Sequence, residues 1–150
     1  FPNTLSHKES DVFSKKIVSF IEKNGWGMCA VELKSTGKFI GFVGLNTPKL
    51  DLLPSPCVEI GWRLGKNHWG HGYASEAANQ ALCYAFNTLG LDEVVAFTSL
   101  NNKGSLTVMK HIGMTDTGLN FMHPYINKSS DLCEYTLYKI TRNIWMANKC

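Results

Sequence analysis

Apolar positions in this chain change their spacing several times, and each change marks an element. Phe13, Ile17, Phe20 and Ile21 recur with a helical period. Ser6 can cap that helix while Glu9 reaches back to it, and Asn24-Gly25 offers a left-handed stop, so a helix is expected over residues 7–23. Strands are expected over 26–33 and 39–45, joined by a hairpin turn at Ser35-Thr36-Gly37-Lys38. Pro48, Pro54 and Pro56 mark a loop, because proline cannot donate to a sheet ladder. Residues 57–64 read as a third strand. A long helix follows, with Ala74, Ala77, Ala78, Ala81, Leu82, Ala85, Phe86 and Leu89 on one face and Gly90 at its end. Its alanines let it lie close to a sheet. Residues 93–100, with Val94-Val95-Ala96-Phe97, read as a buried strand. Asn102 can cap a helix over 103–112 that Gly113 ends. Residues 114–121 and 132–141 supply two last strands, the second alternating through Tyr135, Leu137 and Ile140.

This order predicts a mixed α/β (α+β) domain over residues 1–141, with helices packed on one sheet. Residues 142–150 are expected to form a flexible C-terminal tail. A chain of 150 residues suffices for one domain that buries roughly 68–70% of its unfolded surface and needs no staples. A hydrophobic content of 44% with 18% charged residues excludes a disordered chain. No apolar run is long enough for a membrane-spanning helix, so no membrane partner is expected.

Charge narrows the partner further. The formal net charge is +3, with no block of like charges that would serve as a nucleic-acid arm. A small positive excess suits an anionic small molecule. The cysteines, Cys29, Cys57, Cys83, Cys133 and Cys150, are odd in number and form no C-x-x-C pair. They read as scattered reduced thiols of a cytoplasmic protein. Phe1 to Thr4 do not read as a signal peptide, and a chain that does not open on Met reads as a fragment or a processed form.

Chemistry concentrates where the third strand meets the long helix, at Asn67-His68-Trp69-Gly70-His71-Gly72-Tyr73-Ala74. Glycines let a backbone approach a ligand, and a helix start offers unpaired N–H groups and a positive dipole end. Together they suit a phosphate, and Arg63, Lys66, His68 and His71 add positive charge. A mononucleotide loop would need G-x-x-x-x-G-K-[ST], which Tyr73-Ala74 does not supply. A dinucleotide loop would need a third glycine where Ser75 stands. Taken alone, G-x-G is equally a tight turn. His68 and His71 lack partner acids, so no metal site is expected.

The segment resembles the GNAT family, the Gcn5-related N-acetyltransferases. That family's acyl-CoA loop reads Q/R-x-x-G-x-G/A, and here it is Asn67-His68-Trp69-Gly70-His71-Gly72, with Asn67 departing from the usual residue. The family's second motif, N-x-x-S/A followed by G-F or G-M, matches Asn102-Lys103-Gly104-Ser105 and Gly113-Met114 at the family spacing. The strand Val58-Glu59-Ile60-Gly61-Trp62-Arg63-Leu64 looks like the branch that includes ribosomal-protein N-terminal acetyltransferases. The resemblance runs from about Glu9 to Tyr138.

It implies a mostly antiparallel mixed sheet whose central strands splay apart, and transfer of an acetyl group from acetyl-CoA to a primary amine through a ternary complex. The pyrophosphate would lie on N–H groups from Trp69, Gly70, His71, Gly72, Tyr73 and Ala74. The pantetheine arm would pair with Ile60, Gly61, Trp62, Arg63 and Leu64, with Asn102 and Ser105 near its thiol end. A free lysine-type amine has a pKa near ~10.4 and must lose a proton, and an oxyanion must be stabilised. Glu59, the acid on the presumed central strand, is the expected base. Its other readings are a strand-end carboxylate paired with Arg63 or Lys66, or one that only orients substrate. Many family members use a tyrosine four residues after the S/A position as acid. Met109 stands there, so Ser105 becomes the candidate, with Tyr135 and Tyr138 behind it. The same absence supports a non-catalytic acyl-CoA-binding module as the alternative. Trp62 and Trp69 are expected in core or CoA-arm packing, and His123-Pro124 in a loop before the last strand, as a surface turn or as lining of the acceptor site. The acceptor could be a small molecule or a protein N-terminus, and a homodimer is compatible with the family. Family members begin with a strand for which no counterpart is expected here, leaving the strand at 26–33 on an exposed edge.

Overall fold

The computed structural model describes residues 4–49 and 56–149. Pro54 and Cys150 therefore lie outside the described residues. The first helix, α1 (His7–Asn24), starts in the expected capping box. Ser6 Oγ accepts from the Glu9 N–H at 3.3 Å, and Glu9 Oε2 accepts from the Ser6 N–H at 2.8 Å. Gly25, at φ +77°, ends the helix and returns its N–H to the Ile21 carbonyl at 2.7 Å.

Six strands form one sheet: β1 (Met28–Glu32), β2 (Phe39–Asn46), β3 (Glu59–Leu64), β4 (Glu93–Ser99), β5 (Thr115–Met122) and β6 (Glu134–Thr141). Their spatial order is β1-β2-β3-β4-β6-β5. Every neighbouring pair is antiparallel except β3–β4. The mixed α/β architecture is as expected. Among the described residues β1 is an edge strand; the part of that expectation concerning residues 1–3 lies outside them. Gly41 shows why β2 and β3 can close up: a Cβ there would stand 2.1 Å from the Arg63 carbonyl oxygen.

Side-chain alternation gives the sheet two unlike faces. One carries Val43, Leu45, Ile60, Val94, Ala96 and Ile140 into the main core. Against it pack α2 (Tyr73–Asn87) and α3 (Lys103–His111). Ala78, Leu82 and Ala85 of α2 are fully buried, the close approach that the alanine-rich face predicts. The other face carries α1 over β2, where the Phe13 and Phe42 rings lie 5.6 Å apart. No α1 residue is buried, so that helix is only lightly seated.

The expected flexible tail is corrected. Residues 142–148 form a helix, α4 (Arg142–Asn148), capped by Thr141 Oγ1, which accepts from the Ile144 N–H at 3.3 Å. Trp145 is 4% exposed and sits 5.3 Å from the Phe86 ring in the main core. The short apolar pattern Ile144-Trp145-Met146 was too brief to show a helical period, yet one buried indole anchors it. Trp145→Ala should cost roughly 3–5 kcal/mol of folding stability, read as a lower denaturant midpoint. A change under about 1 kcal/mol would mean the helix is detached in solution.

Candidate active site

β3 and β4 meet only at Glu59 opposite Val95, where the Val95 N–H donates to the Val58 carbonyl at 3.0 Å. Beyond that point the two strands diverge. The Gly65 N–H donates to the Ile40 carbonyl at 2.8 Å, which sets the alternation along β3. Glu59, Gly61 and Arg63 spend their backbone groups on β2. Ile60, Trp62 and Leu64 turn theirs toward the gap. The Leu64 carbonyl accepts the Trp69 indole N–H at 2.8 Å, so the open polar edge rests mainly on Ile60 and Trp62.

The chain leaves β3 through one 3₁₀ turn, Lys66–His68, and enters α2 over the two glycines. Gly70 has φ +76° and Gly72 φ +79°, conformations that cost other residues energy. Gly72 is the N-cap of α2 and offers no side-chain cap. The first helical bond runs from the Glu76 N–H to the Gly72 carbonyl at 3.0 Å, so the N–H groups of Tyr73, Ala74 and Ser75 stand at the positive helix end. The His71 ring stacks on Tyr73 at 5.3 Å, and its Nδ1 donates to the Trp69 carbonyl at 2.8 Å. A hollow of about 460 Å³ lies beside this loop, lined by residues 39–42 and 63–68, including Arg63, Lys66 and His68.

α3 closes the other side. Asn102 Oδ1 caps it by accepting from the Ser105 N–H at 3.1 Å. Ser105 Oγ accepts from the Trp62 indole at 3.3 Å, which ties α3 to the open edge of β3. Met109 is 1% exposed in the core, so the position that often carries the family's acid is a packing residue.

Glu59 points to the opposite face from α2 and α3. It is half-buried, and burial pushes its carboxyl up to about 8. Among the described residues no cation forms an ion pair with it; the Arg63 or Lys66 pairing considered from the sequence is not among the salt bridges, which are Lys139 with Glu93 and Arg142 with Asp92. Glu59 binds its proton more tightly folded than unfolded, so stability is full below pH 4.5, falls as pH rises toward 8, and is level above. Glu59→Gln removes that loss. Denaturant unfolding should show the variant gaining on wild type by on the order of 5 kcal/mol between pH 4 and pH 9. A constant difference across that range would rule out the buried proton.

Several residues stand differently from their sequence reading. Trp69 is 62% exposed and so lies outside the core. Tyr138 is buried on the helix side of the sheet, away from Glu59. His123 opens the expected turn, its carbonyl accepting from the Ile126 N–H at 3.3 Å, and its ring also lies 4.7 Å from the Tyr135 ring. Tyr135 shares the face of Glu59, and its hydroxyl is pushed up by burial and by the Glu59 charge. Phe97 and Phe121 line the same area, and neither stood out in the sequence. Strand alternation could have placed Phe97; Phe121 depends on the β5–β6 register, which is irregular between Asp116 and Asn120.

The split between β3 and β4 beside a glycine-led helix start is the arrangement that the family resemblance implies, and the relatives agree. The acetyltransferase (GNAT) domain model matches residues 1–115, and the chain belongs to that family. Among curated proteins it is similar to the FsC-acetyl coenzyme A-N(2)-transacetylase of Aspergillus fumigatus, at 32% identity over 140 residues, covering 84% of this chain and 59% of that one. The chain spans about half to three fifths of the length of the curated relatives it matches. Among solved structures, an acetyltransferase from Agrobacterium tumefaciens matches 93% of this chain and 74% of its own at 30% identity and TM-score 0.68. Ribosomal-protein-S5-alanine acetyltransferase from Vibrio fischeri shares the fold, with TM-score 0.72 at 18% identity over 95% of this chain and 78% of its own. No helix among the described residues is long and apolar enough to cross a membrane.

Proposed function

We propose that this chain binds acetyl-CoA and transfers its acetyl group to a primary amine by direct attack. The observation that carries this is the gap between β3 and β4, which leads from the unpaired backbone edge of Ile60 and Trp62 to the uncapped start of α2. A pantetheine arm can add to that edge like a strand, with its pyrophosphate on the N–H groups from Gly70 to Ala74, since the Trp69 N–H already donates to the Lys66 carbonyl at 3.2 Å. Because Gly61 and Arg63 already pair with β2, the arm uses alternate residues of β3. Arg63, Lys66 and His68 add positive charge at the outer end. The free thiols of Cys29, Cys57, Cys83 and Cys133 suit a cytoplasmic setting.

Glu59 stands at the apex of the gap and takes the amine proton, directly or through water. The neutral amine attacks the thioester carbon, a backbone N–H at the mouth of the gap holds the oxyanion, and collapse releases the CoA thiolate. The nitrogen sheds its second proton as the amide forms, and Ser105, fixed by the Trp62 indole, relays it to the sulfur and ends as a neutral hydroxyl. No other cofactor enters this scheme. Thermal shift separates this from other phosphate ligands: CoA should raise Tm, while ATP and NAD at equal concentration should leave it nearly unchanged. Equal stabilisation by all three would reduce the site to a general phosphate loop.

A further inference from the structure

The face that carries Glu59 holds a second, smaller cluster outside the main core. Registers place its members. Glu59 stands opposite Val95, Phe97 opposite Leu137, and Tyr135 opposite both Ser99 and Phe121. Directly opposed residues share a face, so the Phe97, Phe121 and Tyr135 side chains stand on the side of Glu59, toward the opening of the gap. Their rings lie 5.9 to 6.1 Å from one another, and His123 closes on Tyr135 at 4.7 Å.

Resting on the acetyltransferase reading, we propose that these rings form the acceptor subsite, and that it takes a primary amine with one positive charge on an apolar or aromatic body. An ammonium is attracted to aromatic faces and to a carboxylate, and the wall supplies both. Among the described residues Glu59 has no cation partner, so the incoming ammonium would supply one and favour the ionised carboxylate. Other charges on this face argue against a polycation. Glu93 is paired with Lys139 at 3.5 Å, and Arg63 lies further along β3 on the same side, opposite Phe42. His123 is held below its usual pKa by burial and accepts the Tyr125 N–H at Nδ1, at 3.2 Å, so it adds no positive charge at pH 7.

The test measures thiol release from acetyl-CoA with phenethylamine and with spermidine, alongside the Kd for CoA. Phenethylamine should be preferred in kcat/KM by about tenfold or more. Tyr135→Leu should raise its KM about 3- to 30-fold with an unchanged CoA Kd, and Tyr135→Phe, which keeps the ring, should restore most of the loss. Phe121→Leu should act in the same direction as Tyr135→Leu. Preference for spermidine, or an unchanged KM in the leucine variants, overturns the acceptor assignment and leaves acetyl transfer standing. Bound CoA with no turnover of either amine would overturn the subsite, whereas a chain that binds no CoA would overturn the acetyltransferase reading as well.

Discussion

Glu59→Gln should lower kcat by roughly 10²–10⁴-fold at pH 8 while the Kd for acetyl-CoA stays nearly constant. The two effects separate because they lie on different parts of β3. Backbone groups of Ile60 and Trp62 face the gap and are untouched by a change at Glu59, whose side chain points to the opposite face. Glutamine keeps the shape and cannot accept a proton. The pH profile adds a second signature. Burial holds the Glu59 carboxyl near 8, so about one molecule in ten is ionised at pH 7 without substrate. Wild-type kcat/KM should climb through pH 8 and then level. The variant should keep rising toward the acceptor's own pKa near ~10, so its deficit shrinks in strong base. A carboxylate that only positions the amine would instead raise KM, with little pH dependence in the deficit. Wild-type kcat in the variant would assign the deprotonation to water or another group.

The second large effect concerns the loop. Gly70→Val or Gly72→Val should abolish measurable CoA binding. Both glycines have φ near +77°, where a β-branched residue is strained. A Cβ at either position meets nothing within 4 Å, so the side chain projects into open space rather than into the core. The fold should therefore survive, with the loop rearranged and the N–H groups of Tyr73 and Ala74 turned from the pyrophosphate. Calorimetry should show no CoA heat in a variant with near-native circular dichroism. Wild-type affinity in either variant would remove the phosphate from this loop.

Periodicity made most of this molecule legible. The α1 capping box, the glycine caps and the alanine face of α2 lie where local spacing predicts, because each is set by neighbours within a few residues. Glu59 and Ser105 were legible as chemistry, since the motifs that carry them are contiguous. The α4 helix was not, because Arg142–Asn148 is only two turns long and is held by the contact of Trp145 with Phe86, far away in sequence. The aromatic wall was hidden for the same reason. Tyr135 and His123 were legible singly, but Phe97 and Phe121 join them only through β4–β6 and β5–β6 pairing, which local spacing does not reveal. For Trp69 the core reading fails, because its indole bonds the Leu64 carbonyl and leaves most of the ring in solvent.

Acetyl transfer itself is tested most directly by a two-substrate assay with acetyl-CoA and a primary amine, following thiol release and identifying the product by mass. One amide should form for each thiol released, and initial-rate lines should intersect, as a ternary complex requires. Thiol release that ignores the amine, or parallel lines with an acetylated protein, would contradict direct transfer.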